Sequence, residues 1–294
     1  MLKIVRKRKT MEDAAMDGEF YEVQAPLSDV VSHFYHLHTP TVAEVVLKHL
    51  SPNFDMLMIF NFGTPVRYSF NDAALNTVPI ERVAVIGPLK KMLNYELRPS
   101  TDVIIVNFTL NGFYRLFKIP VNELAPDEVI DPDILIDKTC FADLWARLAA
   151  LPSTTDRIQL IEAYAASFTA ENDAFAIPLL NGLAYFQNPA VQPVKAIAAN
   201  AALSERTIQQ RFQKFTGYSP KEILRFMRFK EVITQLINQK EKEIDLFELI
   251  ETHGYHDQSH LIKDFNHFLG TTPRKFLKNI AGKGFCVTRP GKHY

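Results

Sequence analysis

Between residues 20 and 130 the apolar positions come in short runs, Met56–Phe62, Val83–Ile86, Val103–Leu110 and Tyr114–Ile119, rich in β-branched and aromatic side chains. Such runs predict strands. Turn residues separate them at Gly63–Thr64–Pro65, Gly87–Pro88, Arg98–Pro99–Ser100 and Asn111–Gly112. Asn111–Gly112 between two apolar runs predicts a hairpin, because both residues tolerate positive φ. From Asp137 the period becomes helical, with Phe141, Leu144, Trp145 and Leu148 at i, i+3, i+4 and i+7. Pro152 ends that helix. Ser153 or Thr154 caps the next, whose stripe is Ile158, Ile161, Tyr164 and Ala165. Residues 170–176 carry no period and suit a linker, and residues 178–187 suit a short helix leading into a last domain.

That last domain is a duplication. Residues 194–224 resemble residues 247–277 at a constant offset of 53: Ser204 aligns with Asp257, Ile208 with Leu261, Phe212 with Phe265, Phe215 with Phe268, Gly217 with Gly270 and Pro220 with Pro273. Matching caps, matching apolar stripes and two Gly-x-x-Pro segments together define two copies of one unit. Each copy reads as helix–turn–helix. Ser204 and Asp257 are the N-caps of the second helices, and Gly217 and Gly270 end them in the left-handed region. Lys221 to Asn238, with Ile223, Leu224, Met227, Val232, Ile233, Leu236 and Ile237 as its apolar positions, predicts a long connecting helix.

Composition then narrows the class. The chain has 294 residues, 47% hydrophobic and 22% charged, which excludes wholesale disorder and suggests two domains. Two cysteines, Cys140 and Cys286, exclude a disulfide framework and a Cys-rich zinc cluster. No apolar run reaches membrane-spanning length and no signal-peptide core follows the basic start, so a cytoplasmic protein without membrane association is expected. The net charge of zero hides a split: residues 189–294 hold 17 Lys and Arg against 10 Asp and Glu, and the remainder is acidic by the same margin. A basic last domain suits a polyanion.

The faces opposite the apolar stripes carry the chemistry. Arg206, Gln209, Gln210 and Gln213 form one stripe at i, i+3, i+4 and i+7. Arg pairs with guanine O6 and N7, and Gln with adenine N6 and N7, so this face predicts base reading in a major groove. A merely solvated helix face would favour Glu and Lys. The second copy presents Gln258, Ser259, His260 and Lys263, with Asn266 and His267 beyond, and Asp264 as the acidic member near the middle. Ser204, Ser219 and Lys221 in the first copy, and Thr272 and Arg274 in the second, sit where helix N-termini meet phosphates.

The segments Leu203–Ser204–Glu205–Arg206–Thr207–Ile208, Arg211–Phe212 and Thr216–Gly217–Tyr218–Ser219–Pro220, with Arg228, resemble the first module of the AraC/XylS family of bacterial transcription regulators. Gly254–Tyr255–His256–Asp257–Gln258–Ser259–His260–Leu261 and Gly270–Thr271–Thr272–Pro273 resemble its second module. The resemblance implies double-stranded DNA as partner, with the second helix of each module in successive major grooves. Lys263 stands where the family often has Arg, and Val232 and Ile250 where it usually has alanine. Residues Ile59–Pro65, Ile86–Leu89 and Asn107–Phe113 resemble the β-rich sensory domain that precedes this module in some members. That layout implies a small-molecule effector or a homodimer contact in the first domain, and contact with RNA polymerase.

The expected fold is therefore α+β. A β-rich, barrel-like domain with flanking helices fills residues 1–170, a linker residues 171–188, an all-α pair of helix-turn-helix modules joined by a long helix residues 189–280, and a basic tail residues 281–294. Phe60, Phe62, Tyr68, Tyr95 and Phe108 are the aromatic candidates for an effector pocket, against the plainer reading of an aromatic core. His33, His36, His38 and His49 suggest a metal, but no further ligand stands at suitable spacing, so no metal and no cofactor is expected. No nucleophile–base pair, phosphate loop or H-E-x-x-H motif appears, so no catalytic residue is expected. The alternative is an enzymatic or metal-binding first domain carried to DNA by the modules.

Overall fold

The computed structural model describes residues 4–5, 17–72, 74–136, 140–168, 179, 185–186, 188, 190–238, 246–281 and 283–286. Of the linker expected at 171–188, all but residues 179, 185, 186 and 188 lie outside them. Its strands are β1 (Ile4–Val5), β2 (Asp17–Glu22), β3 (Val31–His38), β4 (Val46–Leu50), β5 (Leu57–Asn61), β6 (Tyr68–Phe70), β7 (Val83–Ile86), β8 (Leu93–Leu97), β9 (Asp102–Phe108), β10 (Val129–Ile130) and β11 (Phe285–Cys286). They form a seven-stranded sheet in the order β1-β2-β3-β9-β5-β7-β10 and a four-stranded sheet in the order β11-β4-β8-β6. Neither sheet closes on itself, so the barrel-like expectation is corrected to two open sheets. The outer strands β1 and β10 are two residues each, too short to pair around into a cylinder.

The large sheet is a middle layer. Along β5, Leu57 and Ile59 point into a core shared with the small sheet, while Met58 and Phe60 point into a second core under helices. Along β9, Val103 divides from Ile104, Val106 and Phe108 in the same way. The two-residue alternation puts apolar side chains on both faces, which is why these strands read as continuous apolar runs. The covering helices are α1 (Gly112–Phe117), α2 (Pro132–Leu135), α3 (Phe141–Ala149) and α4 (Thr154–Ala166). Ser153 caps α4, and Trp145 of α3 donates its Nε1–H to the Asn61 carbonyl at 2.7 Å.

The hairpin expected at Asn111–Gly112 is not formed. Asn111 has φ −116° and the next residues turn into α1. Phe113, Leu116 and Phe117 lie at i, i+3 and i+4, a helical stripe, and they pack beside Phe108 and Phe141. Burying that stripe under the sheet outweighs the local turn preference.

The last domain comprises α5 (Pro193–Asn200), α6 (Glu205–Thr216), α7 (Pro220–Asn238), α8 (Leu246–Thr252), α9 (Gln258–Leu269) and α10 (Pro273–Asn279). Both ends of α9 and the starts of α8 and α10 fall 53 residues after those of α6, α5 and α7. The copies share one core in which Phe212, Phe226, Phe229 and Phe265 are fully buried. On α7 the buried set is Pro220, Ile223, Phe226, Phe229, Lys230, Val232, Ile233 and Leu236, whereas Leu224 and Ile237 face outward.

Candidate nucleic-acid interface

Each outward helix is built by the same local chemistry. Ser204 accepts from the Thr207 amide at the start of α6, and Asp257 accepts from the His260 amide at the start of α9. At the other ends Gly217 (φ 74°) and Gly270 (φ 63°) take the left-handed conformation that side chains disfavour. Ile208, Phe212 and Phe215 on α6, and Leu261, Phe265 and Phe268 on α9, face inward. The opposite faces stay in solvent: Arg206, Gln209, Gln210 and Gln213 on α6, and Gln258, Ser259, His260 and Lys263 on α9, are all exposed. The α6 set shares one free stripe, while on α9 Ser259, His260 and Lys263 share a face and Gln258 stands exposed at the helix start.

The phosphate candidates divide. Ser204, Lys221 and Arg274 are exposed, and Thr272 caps α10 by accepting from the Lys275 amide. Ser219 is turned elsewhere. Its hydroxyl and amide both donate to Glu222 at 2.8 Å, and Glu222 pairs with Lys90 of the first domain at 3.0 Å. Burial pushes the Glu222 pKa up, but hydrogen bonds from Ser219 and Lys90 outweigh it and leave the group lowered.

Asp264 belongs inside, not on the DNA-facing side where the sequence suggested it. It is 4% exposed and accepts from Arg225 Nε at 2.7 Å and from the Tyr255 hydroxyl at 2.9 Å. The Arg228 guanidinium lies 4.4 Å from the Tyr255 ring centre. This network ties α9 to α7 and to the turn before α9. A single charged residue among polar ones gave no sign of it; the cue was its position between Leu261 and Phe268 on the apolar side.

Both modules rest on the first domain. The Tyr114 ring stacks on Phe215 at 4.3 Å, and Phe54 inserts between Tyr218 and Phe226, each at 4.6 Å. Met92 donates its amide to the Phe268 carbonyl at 2.8 Å, and Asn71 donates its side-chain amide to the His267 carbonyl at 3.1 Å. These bonds occupy carbonyls in the last turn of α9 that the helix itself leaves open. A side chain at Gly217 would meet Pro88 at 2.8 Å, so its close approach also needs glycine.

The seam sets a half-buried carboxyl, Asp55, against a buried lysine, Lys230. Burial raises the Asp55 carboxyl to about 7 against the pull of Lys230. Burial lowers Lys230 to about 8 against the pull of Asp55. A carboxyl raised on folding favours the folded state at low pH, and that advantage is lost as pH rises through about 7. Lys230 keeps its proton below about 8 and adds little slope there. The melting temperature should therefore fall by roughly 4 °C from about pH 5.5 to about pH 8. Asp55→Asn should flatten that fall; an equally steep profile in the variant would remove Asp55 as its cause.

The five aromatic pocket candidates are not one group. Phe60 and Phe108 line a small apolar gap between the large sheet and α3 and α4. Phe62 stacks on Trp145 at 6.3 Å, under the Arg157 guanidinium. Tyr68 and Tyr95 sit opposite each other on β6 and β8 of the small sheet. Of the histidines, His36 is bonded by Asp102 at 2.8 Å, which Arg157 also holds at 2.9 Å, and His49 pairs with Asn94 at 2.7 Å.

Two capped outward helices at one spacing, joined by a shared helix and set behind a β-rich domain, define a DNA-binding transcription regulator of the helix-turn-helix class. Residues 197–279 match the family described as "Helix-turn-helix domain", and residues 20–130 match one described as "Domain of unknown function (DUF6597)". The last third of the chain thus carries a helix-turn-helix domain, preceded by that domain of unknown function. Comparison with curated protein sequences finds no match. Among solved structures, ToxT from Vibrio cholerae is 9% identical over 90% of this chain and 98% of that one, with a TM-score of 0.40. The AraC-like transcriptional activator CuxR is 10% identical over 78% and 86%, with a TM-score of 0.31. Streptomyces albus HEPD, bound to 2-hydroxyethylphosphonate and Fe(II), is 11% identical over 76% and 48%, with a TM-score of 0.23. Likeness at that level says nothing about operators, ligands or reactions. Among the described residues no helix is long and apolar enough to cross a membrane.

Proposed function

We propose that the protein reads a specific DNA sequence across two successive major grooves, and that its first domain regulates that reading. Arg206, Gln209, Gln210 and Gln213 contact bases in one groove, and Gln258, Ser259, His260 and Lys263 in the next. Ser204, Lys221, Thr272 and Arg274 hold the backbone. The observation that carries this reading is the exposure of both donor-rich faces on helices whose caps and cores repeat at one offset. The test is a footprint of the full-length protein on its own upstream DNA, where two adjacent protected grooves are expected. Arg206→Ala and Gln209→Ala should each weaken that site about 5- to 150-fold, a loss of ~1–3 kcal/mol, while leaving random DNA nearly unchanged. Equal loss on both DNAs would contradict base reading.

A small-molecule effector fits the seam between the domains better than the aromatic set named from sequence. A cleft open to solvent is lined there by Asn53, Phe54, Lys90, Tyr218, Arg225 and Phe226 among others. Asn53 and Tyr218 are each 3% exposed, and Asn53 Oδ1 and the Tyr218 hydroxyl have no hydrogen-bond partner. Buried polar atoms left open in a cleft suit a ligand that supplies the missing bonds. The helices α3 and α4 of the first domain bury Phe141, Leu144, Leu148, Ile158 and Ile161 against the large sheet. The same footprint repeated with cell extract tests the effector: altered protection supports it, and identical protection argues against it.

A further inference from the structure

We propose that His256, Asp257 and His260 form a binding site for a divalent transition ion of the zinc type at the front of the second recognition helix, and that the bound ion withdraws His260 from DNA. The site is distinct from the histidines of the first domain. Its metal binding stands apart from the base-reading proposal, on which only the effect on DNA rests.

The three side chains each offer one ligand atom, and these atoms lie within 4.8 Å of one another. His256 Nδ1 is 3.2 Å from Asp257 Oδ2, and His260 Nδ1 is 3.3 Å from Asp257 Oδ1. Bonds of about 2.0–2.1 Å from a zinc ion to imidazole and carboxylate require neighbouring ligand atoms about 3.3 Å apart in a tetrahedron. Each imidazole stands at about that distance from one carboxylate oxygen, His256 from Oδ2 and His260 from Oδ1, so gathering the three around one ion asks for side-chain adjustment at exposed positions. Two imidazoles and a carboxylate are the donor set of zinc, cobalt or nickel rather than of calcium or magnesium, which take oxygen ligands.

The backbone holds the carboxylate in place. Asp257 is the N-cap of α9 and accepts from the His260 amide at 2.9 Å, while His260 lies one turn along on the same side. Both imidazoles converge on that carboxylate, so an ion exchanges two weak contacts for three ligand bonds without moving the helix. All three side chains are solvent-accessible, which leaves the fourth position to water. The positive end of the helix opposes a cation, and the carboxylate offsets it. The combination sets a micromolar rather than a nanomolar affinity. The consequence for DNA is steric: coordination through Nδ1 pins the His260 ring beside Asp257, so its free Nε2 can no longer swing toward a base.

The experiment uses untagged full-length protein freed of metal by chelation. Zinc titrated calorimetrically should bind one equivalent at this site, and cobalt should give the visible absorption of a low-coordinate nitrogen–oxygen site. His256→Asn and His260→Asn, both at exposed positions, should each weaken that binding at least about tenfold with unchanged melting curves. Zinc should then shrink the footprint on the second groove of the upstream DNA in the native protein but not in His256→Asn. Absence of binding below about 100 μM, or undiminished binding in both variants, overturns the site. Metal binding with an unchanged footprint overturns the withdrawal of His260.

Discussion

Asp264→Ala should cost about 3 kcal/mol of folding stability and erase protection of the second groove while sparing the first. The carboxylate is 4% exposed and holds two donors, Arg225 Nε and the Tyr255 hydroxyl. Removing it leaves the hydroxyl without an acceptor where water does not reach. Arg225 is 36% exposed and recovers part of its loss from solvent, which keeps the figure below the upper range for a broken buried pair. The functional loss follows from geometry: Arg225 lies on α7 and Tyr255 on the turn before α9, so Asp264 fixes the roll of α9 about its own axis. Denaturant melts and a footprint measure both effects. Stability within about 0.5 kcal/mol of the native value would show that the network contributes nothing net.

Phe229→Ala should be costlier still, ~3–5 kcal/mol, or roughly a 10 °C drop in melting temperature. Phe229 is fully buried, with its ring 5.0 Å from Phe265 and 4.8 Å from Phe268. Phe268 in turn meets Phe226, which meets Phe54 of the first domain at 4.6 Å. A hole at Phe229 therefore removes contacts of the joining helix with the second module at the centre of the stack. Leu224→Ala on the same helix is the control, because Leu224 is 41% exposed and its loss should cost less than about 1 kcal/mol. Similar losses at the two positions would mean that the ring cluster holds nothing together.

The last domain was legible because its information is local. Caps, helix stops and apolar stripes recur within a dozen residues, and Ser204, Gly217, Asp257 and Gly270 all take the roles their positions suggest. What could not be read depends on partners far along the chain. Tyr114–Ile119 looks like a strand by composition and becomes α1 because Phe113, Leu116 and Phe117 find a core under the sheet. Phe226 and Phe229 fell outside the stripe chosen for α7, since their partners come from two other segments, Phe54 before β5 and Phe265 and Phe268 on α9. Lys230 is 4% exposed, against every expectation for its type, because Asp55 lies across the seam. The aromatic pocket candidates failed as a set for the same reason: nearness in sequence does not say which side of which sheet a ring takes.

β11 runs parallel to β4, with His49 donating its amide to the Gly284 carbonyl and Ser51 to that of Cys286. The helical domain is thereby fastened to its neighbour on both of its flanks. Parting the two domains is then a hinge opening about a doubly anchored body, and the surfaces that separate stay at a high effective concentration of each other. Re-closure needs no search through solution. If the proposed effector binds the cleft, it has only to tilt a balance between two tethered arrangements, and a modest difference in its affinity for them suffices to reposition α7 and α9, which help to line that cleft.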